Sequence, residues 1–274
     1  MGKPETLGVI GAGAMAEALL RGWLDTGMFA AESIVASDPS RARRDVLADE
    51  LNVQVSADNA DAIASVDALM VAVKPQVLEA VCAPIAAGVA DGTLIISIAA
   101  GVTLEKLESI FGAGRPIVRV MPNILHSVQD GVAALCSNDA VTDELMAFAL
   151  ELFRSIGVAE EVEERLMDAV TGLSGSGPAF VFVFLEALSD GAVAAGLPRA
   201  LATPFAAQTV LGAAKWVLAG KRPGELKELV TSPGGTTIEG LRVAEANGLR
   251  IATMEAVLAA ARKSAELGKP KEES

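Results

Sequence analysis

The chain has 274 residues, of which 51% are hydrophobic, with no tyrosine, one histidine and two cysteines. Its formal net charge of −13 argues against nucleic acid and anionic membrane as partners, because both attract basic surfaces. No uninterrupted apolar run reaches bilayer-spanning length, and the first ten residues lack the shape of a signal peptide. We expect a cytoplasmic protein with Cys82 and Cys136 as reduced core thiols. A single His126 excludes a His-rich zinc site, so metal-free chemistry is expected.

The first part of the chain alternates short apolar runs with helical patterns. Strands are predicted at residues 7–10, 34–37, 53–55, 68–73, 93–97 and 117–121, with helices between them such as 14–26 and 41–51. A further strand–helix–strand unit is predicted at 131–136, 139–156 and 158–160. Strands that are apolar throughout indicate a parallel sheet covered on both faces. Residues 1–162 are therefore predicted to form an α/β domain with a doubly wound parallel sheet.

From residue 163 onward the patterns are helical. Helices are predicted at 163–173, 178–195, 199–219, 224–230, 237–246 and 249–267, with breaks at "GSGP", "GLP" and "SPGG". Several of these helices are apolar on more than one face, and a small helical domain cannot bury that much surface alone. We expect residues 163–274 to form an all-helical domain that dimerises with a partner subunit.

A glycine-rich turn follows the first predicted strand. "LGVI" runs into "GAGAMA", which places Gly11, Gly13 and Ala16 in the G-x-G-x-x-G/A spacing between a strand and a helix. The glycines allow a tight turn and close approach of a pyrophosphate to the helix N-terminus. This context predicts a Rossmann dinucleotide site. The candidate cofactor-binding residues in this turn are Gly11, Ala12, Gly13, Ala14 and Met15.

The end of the second strand gives conflicting signals about the cofactor. Asp38 stands where an acidic residue hydrogen-bonds the ribose 2′-hydroxyl, which favours NAD(H). Ser37 and Arg41 belong to "SDPSRARR", which also suits a 2′-phosphate and so NADP(H). Arg43 and Arg44 are expected only to cap and solvate the next helix. The sequence predicts NADP(H) or NAD(H) and leaves the preference open.

Later strand ends supply further cofactor candidates, because a doubly wound sheet binds ligands at the carboxyl ends of its strands. Lys74 is alternatively a solvated turn lysine. The small residues after residue 98 would let a nicotinamide ring pass closely over the backbone, but a tight turn explains them too. The full set of these candidates is Asn59, Val73, Lys74, Pro75, Ala99, Ala100, Gly101 and Asn123.

In order and over nearly the whole chain, the motifs resemble those of the pyrroline-5-carboxylate reductase family. They include "IGAGAMAEALL", "VAVKPQ", "SIAAGV", "RVMPN", "VTGLSGSGPAF" and "VTSPGGTTIEGL". The resemblance implies a homodimer, or a larger oligomer built from dimers, whose helical domains intertwine. It also implies NAD(P)H-dependent reduction of a small molecule, L-1-pyrroline-5-carboxylate, to L-proline, with hydride transferred to the C5 imine carbon.

The chain departs from the family pattern at two places. Ile124 and Leu125 follow Met-Pro-Asn where the family usually has Thr-Pro, and His126 comes next. We interpret His126 as a loop residue in preference to a proton donor. Pro39 stands where relatives that prefer NADP often carry arginine.

The "SPGGTT" segment is the candidate substrate site. Gly234 and Gly235 let backbone N–H groups converge on a carboxylate at a helix N-terminus. By resemblance, Gly235 and Thr236 offer N–H groups, while the Thr237 hydroxyl reaches the carboxylate or ring nitrogen and relays a proton. Thr237 is therefore the catalytic candidate, and Ser232 is a weaker substrate-binding one. The alternative is an ordinary threonine N-cap after a Pro-Gly turn.

Ser176, in "GLSGSGPAF", is a further substrate-binding candidate. Its small neighbours also suit close helix crossing.

Two other functions are alternatives to the reductase. A 3-hydroxyacid dehydrogenase usually needs a lysine in the first helix after the Rossmann domain, but residues 163–184 contain only Arg165 as a cation. A dinucleotide-binding regulator would have no need of a carboxylate pocket.

Overall fold

A computed structural model describes residues 3–268 and contains one eight-stranded sheet of order β3-β2-β1-β4-β5-β6-β7-β8 within that range. The strands match the apolar runs of the sequence closely, since most of these runs are buried on both faces, as β1, β4 and β5 are. Their bounds are β1 (Leu7–Ile10), β2 (Ile34–Ser37), β3 (Gln54–Ser56), β4 (Ala68–Val71), β5 (Leu94–Ser97), β6 (Ile117–Met121), β7 (Gly131–Ser137) and β8 (Gly157–Glu161).

The expectation of a wholly parallel sheet is wrong at one pair of strands. β6 and β7 are antiparallel, whereas the other neighbouring pairs are parallel. Only residues 122–130 join them, and they hold one 3₁₀ turn, Ile124–Val128. A parallel connection needs roughly a dozen residues or more, so this short link forces the chain to reverse. The Rossmann-like class is confirmed, with a mixed sheet.

Helices cover both faces of the sheet. On one face, Trp23 is fully buried, donates its indole N–H to the Leu152 carbonyl at 2.9 Å and meets Phe153 edge to face at 5.5 Å. The opposite face is covered by helices that contribute Leu78 and Leu107. The helices of this part are α1 (Ala14–Asp25), α2 (Arg41–Leu51), α3 (Asn59–Ile63), α4 (Leu78–Cys82), α5 (Leu104–Phe111), α6 (Asp143–Arg154) and α7 (Met167–Val170).

The chain divides into two compact units. Unit 1 comprises the residues through Ser176 together with those from Ala259 onward, and unit 2 comprises Gly177–Leu258. Unit 2 is helical, and Ser189 and Thr203 join two of its helices through a 2.9 Å hydroxyl contact. The remaining helices are α8 (Gly177–Ala194), α9 (Arg199–Leu218), α10 (Pro223–Leu229), α11 (Thr236–Ala246) and α12 (Leu249–Leu267).

The "GSGP" segment does not separate two helices as expected. Instead, a π-helical turn at Thr171–Gly175 connects α7 to α8, so that Glu164–Ala194 is one helical stretch of 31 residues. By length and composition this stretch alone, within residues 3–268, is apolar enough to cross a bilayer. Its mean hydropathy reaches 1.4, but the same test is also met by core helices of soluble proteins.

His126 is a core residue of unit 1. Its ring is fully buried, lies edge-on to Phe153 at 5.9 Å, and places Nδ1 3.1 Å from the Ile156 carbonyl oxygen. A Cβ on Gly131 would come within 2.1 Å of that Nδ1, so the ring occupies the space over a glycine. Nδ1 therefore donates to the carbonyl, and Nε2 has no partner among the described residues.

Burial lowers the pKa of His126, and the hydrogen bond to the Ile156 carbonyl only partly opposes this effect. A histidine buried in the neutral form stabilises the fold above its unfolded pKa of about 6.5, and that contribution is lost as the pH falls toward the folded pKa. We therefore expect His126→Leu, which cannot titrate, to lose less unfolding free energy than the wild type between about pH 7.5 and about pH 5. Urea unfolding followed by circular dichroism at fixed protein concentration measures this. Equal losses in both proteins would contradict it.

Candidate functional site

The turn after β1 requires glycine at its first position. Gly11 has φ +96° and donates its N–H to the Ser37 carbonyl at 2.8 Å. A Cβ there would stand 3.0 Å from the backbone carbonyl carbon and oxygen of Ala72. Both the left-handed conformation and the close packing therefore favour a residue without a side chain.

The N-terminus of α1 is open to an anion. Gly13 is the N-cap, no side chain caps the helix, and nothing lies within 4 Å of a Cβ built on Gly13. Ala14 is exposed, Met15 is half-buried, and Ala12 is buried beneath them. Unpaired N–H groups and the helix dipole make such an end suitable for a pyrophosphate. These residues therefore fit a dinucleotide.

Asp38 holds this turn in place. Its Oδ2 accepts the Ala12 N–H at 2.8 Å, and its Oδ1 accepts the Ser40 N–H at 2.8 Å. The carboxylate is only partly buried, so it remains accessible beside the open helix end. Each carboxylate oxygen accepts more than one hydrogen bond, which leaves acceptor capacity for a ligand hydroxyl.

The arginines of α2 do more than cap and solvate that helix. Arg43 donates Nε to the Ala12 carbonyl at 2.6 Å and pairs with Glu17 at 2.6 Å. The Arg43 contact holds the pKa of Glu17 below its ordinary value. Arg44 donates to the Asp38 carbonyl at 2.7 Å. The expectation that Arg43 and Arg44 only cap and solvate α2 was wrong, because each also donates a hydrogen bond to a backbone carbonyl of the turn.

Ser37 and Asn59 form a hydrogen-bonded pair. Ser37 is fully buried, and its hydroxyl lies 2.8 Å from Oδ1 of Asn59 and 3.2 Å from the Val9 carbonyl. Asn59 is half-buried at the start of α3. The serine thus orients the asparagine, whose amide NH₂ is free to face a ligand.

Lys74 is exposed at the end of the loop after β4, between half-buried Val73 and Pro75. It precedes a 3₁₀ turn, Pro75–Val77, and forms no ion pair with the rest of the described chain. Its ammonium group is therefore available to an anionic ligand at the strand end.

The small residues after β5 have a packing role that the sequence did not reveal. Ala99 is buried and Ala100 half-buried, while Gly101 has φ +76° and a Cβ there would come 3.2 Å from the Ser264 carbonyl and 3.3 Å from the Gly268 nitrogen. The end of α12 thus lies against this loop. The Ser264 hydroxyl fixes it further by donating to Asp168 at 2.6 Å.

Asn123 is almost fully buried and bonded to backbone. Its Oδ1 accepts the N–H groups of Leu125 and Val132 at 3.2 Å, and its Nδ2 donates to the Ser174 carbonyl at 3.1 Å. The side chain therefore ties the end of β6 to the π-helical turn, a role that the motif "MPN" did not indicate.

Ser176 follows the same turn and is half-buried. The backbone near it is closely packed, since a Cβ on Gly175 would lie 2.5 Å from Cε of Met121. This contact accounts for a glycine beside Ser176 without a ligand. The Ser176 hydroxyl forms no hydrogen bond within residues 3–268.

In unit 2, the "SPGGTT" segment forms a turn followed by an uncapped helix. Gly235 is the N-cap of α11, with Thr236 and Thr237 exposed in the first turn and no side-chain cap. The alternative of a threonine N-cap is therefore wrong. Gly234 has φ +67°, a left-handed conformation that favours glycine, and a Cβ on Gly235 would lie 2.3 Å from Ser232 Oγ, so the serine side chain packs against Gly235.

A Rossmann sheet with an open, glycine-capped helix end and an acidic residue at the end of β2 defines a nicotinamide-dinucleotide-dependent oxidoreductase. A family model described as "NADP oxidoreductase coenzyme F420-dependent" matches residues 6–101, and one described as "Pyrroline-5-carboxylate reductase dimerisation" matches residues 164–267. The chain belongs to the pyrroline-5-carboxylate reductase family, as its relatives show.

Two relatives with that name match this chain over nearly their whole length. The pyrroline-5-carboxylate reductase of Methanosarcina acetivorans is 47% identical over 266 residues, covering 97% of this chain and 98% of the relative. That of Escherichia coli is 42% identical over 265 residues, with coverages of 96% and 98%.

Solved structures agree. Pyrroline carboxylate reductase of Plasmodium falciparum, crystallised with NADP bound, has a TM-score of 0.88 at 32% identity and covers 98% of this chain and 100% of its own. The enzyme from Coxiella burnetii has a TM-score of 0.89 at 32% identity, with the same coverages. Prephenate dehydrogenase from Aquifex aeolicus, 13% identical with a TM-score of 0.55, shares the fold alone.

The two glycines of the turn make separable predictions. We expect Gly11→Ala to lower the free energy of unfolding by about 1–3 kcal/mol through backbone strain. Gly13→Ala should change stability by no more than about 0.5 kcal/mol, because its Cβ meets no protein atom, yet weaken NAD(P)H binding roughly tenfold by obstructing the open helix end. Urea unfolding and nicotinamide fluorescence titration measure the two effects.

Gly114→Ala, at another glycine with no neighbour within 4 Å, is the matched control and should change neither quantity. Normal cofactor binding by Gly13→Ala would refute the assignment of the open helix end to the dinucleotide.

Proposed function

We propose that the protein reduces L-1-pyrroline-5-carboxylate to L-proline with NADH or NADPH. The observation that carries this proposal is the uncapped, glycine-bounded N-terminus of α11, which lies in the segment matched by the family's dimerisation model. We also propose the functional boundary between the two domains at residues 162 and 163, beside the start of that match at 164.

Unit 1 would hold the dinucleotide. The open end of α1 at Gly13 would bind the pyrophosphate, Asp38 the adenosine ribose, and Lys74 a phosphate oxygen. When bound, the reduced nicotinamide supplies the hydride that reduces the imine carbon. Asn59 and the loop from Ala99 to Gly101 complete the set of contacting segments.

Unit 2 would bind the substrate carboxylate. The first N–H groups of α11, with the hydroxyls of Thr236 and Thr237, are donors without side-chain competitors at this helix end. Glu239 is the only acidic residue in the first turn, and Arg242 neutralises it through contacts of 2.6 and 2.9 Å. The helix end therefore presents net donor character to an anion.

The proton chemistry asked of the protein is small. A protonated imine is already electrophilic, so orientation of the two reactants supplies much of the rate enhancement. The Thr237 hydroxyl would reach the carboxylate or the ring nitrogen, and it would relay a solvent proton to that nitrogen only after hydride transfer restores the nitrogen lone pair. The exposed Ser232 would support the turn. Ser176 remains a second candidate for substrate contact.

We further propose that two chains form a dimer through unit 2. Within that unit, large apolar side chains of α8 and α9 are exposed, among them Phe182, Val183, Phe205 and Trp216. The family model for this segment is a dimerisation model, so homo-oligomerisation is a property of the family's domain. The helix end of one chain and the dinucleotide turn of its partner would then contribute to one site. A cytoplasmic location and a lack of nucleic-acid partners complete the proposal.

Purified protein mixed with NADH or NADPH and pyrroline-5-carboxylate tests the activity. We expect the absorbance of the reduced nicotinamide at about 340 nm to fall, with one proline formed for each NADH or NADPH consumed. A protein that binds the dinucleotide but turns over a 3-hydroxyacid instead, or nothing at all, would overturn the proposed function.

Thr237→Ala sharpens that test. Loss of one hydroxyl donor to a carboxylate should raise KM for the imine roughly tenfold and leave cofactor affinity unchanged. Thr253→Ala is the matched control, because its exposed hydroxyl already donates to its own helix at 2.8 Å. Loss of cofactor binding in Thr237→Ala would contradict the proposal that unit 1 binds the dinucleotide and unit 2 binds the substrate.

Sedimentation should give about twice the 28.0 kDa mass of one chain. Phe182→Glu places a charge on the exposed face of α8 and should shift the equilibrium toward monomer at micromolar concentration. Val158→Glu, at a similarly exposed apolar residue of unit 1, should leave the mass unchanged. A monomeric wild type would overturn the proposed dimer.

A further inference from the structure

The geometry points to NADH over NADPH as the preferred cofactor, with Asp38 as the residue that determines this specificity. The inference deepens the proposed function and rests on it for the reductase role. The inference rests on this chain's own residues at the end of β2. It does not rest on the relative from Plasmodium falciparum, which was crystallised with NADP.

Two backbone hydrogen bonds orient the Asp38 carboxylate. The N–H groups of Ala12 and Ser40 each donate at 2.8 Å, one to each carboxylate oxygen. The first of these N–H groups belongs to the turn that leads into the open end of α1. A fixed carboxylate at this position offers acceptors to ribose hydroxyls and repels a 2′-phosphate.

The groups that would stabilise a 2′-phosphate are committed elsewhere. The Ser37 hydroxyl is fully buried and bonded to Asn59 at 2.8 Å. Arg43 bonds to the Ala12 carbonyl and to Glu17, both at 2.6 Å. Arg44 bonds to the carbonyl of Asp38 at 2.7 Å. Recruiting either arginine would break contacts that hold the turn.

Arg41 is the competing cation. Among residues 3–268, its guanidinium pairs with Asp45 at 3.6 Å, and its side chain is 86% exposed. An exposed, solvated arginine loses side-chain entropy when it is ordered on a phosphate, whereas two backbone hydrogen bonds already orient Asp38. We therefore infer that the Asp38 carboxylate influences the cofactor preference more strongly than Arg41 does. Pro39, which lies between Asp38 and Arg41 in sequence, adds no cation.

Direct binding decides the question without turnover. Nicotinamide fluorescence titrations give Kd for NADH and NADPH, and competition with ADP-ribose and 2′-phospho-ADP-ribose isolates the adenosine end. We expect the wild type to bind NADH about tenfold more tightly or better, the effect of one hydrogen bond to a charged group. Asp38→Ser should bring the two Kd values within about threefold of each other.

Two controls separate specificity from general damage. Asp49→Ser removes the same charge from an exposed position of α2 that has no partner among the described residues, and should leave the ratio unchanged. Arg41→Ala should also preserve the preference for NADH. If Asp38→Ser fails to fold, Asp38→Asn, which keeps one oxygen acceptor for the turn, replaces it.

Tighter NADPH binding by the wild type would overturn the inference, as would an Asp38 variant that weakens both cofactors equally. These failures differ from failure of the proposed function. A protein that prefers NADPH yet forms proline refutes only the cofactor assignment, and one that prefers NADH without forming proline refutes only the reaction.

Discussion

The close packing of three strand ends at Gly11 is the constraint on which the dinucleotide site depends. β1 lies between β2 and β4, so the chain leaving it must turn while in contact with the backbone of Ala72. Only a residue without a side chain fits there in a left-handed conformation. The turn delivers Gly13 as the cap of α1 and directs the Ala12 N–H to Asp38. The open end of α1 and the orientation of the Asp38 carboxylate thus both depend on one packing contact.

An acidic protein can bind anionic ligands because backbone groups supply the positive end. The net charge is −13, yet α1 and α11 each begin at a glycine with no side-chain cap. Two cations near these ends are engaged by carboxylates, Arg43 by Glu17 and Arg242 by Glu239. A helix end has no counterion and no flexible side chain. A ligand bound there is therefore positioned without the entropy cost of ordering a protein side chain.

Local sequence patterns predicted the strands well because most of them are buried on both faces. β1, β2 and β6 have the bounds that their apolar runs indicated. Contacts between residues far apart in sequence could not be predicted from these local patterns. The direction of β7 depends on the length of a connection, and the burial of His126 depends on a glycine on the next strand. For the candidate site, residue types were predictable from motifs. The hydrogen bonds of Asp38 to Ala12 and of Asn123 to Ser174 were not, because they join residues 26 and 51 positions apart in sequence.

The exposed apolar face of unit 2 is better explained by a protein partner than by lipid. α8 is apolar enough for a bilayer by composition, but it carries Asp190, which pairs with Arg199 of α9 at 2.6 Å. A second acid, Glu186, lies near the middle of α8, where a charge in a spanning helix costs about 2.5–3.5 kcal/mol on insertion. Arg199 also donates to the buried Ser189, which locks α8 to α9 through polar contacts that a protein interface tolerates at its edge. In the proposed dimer, a second copy of the same helical unit would cover the apolar side chains and leave these polar contacts intact, so dimerisation would satisfy both constraints at once.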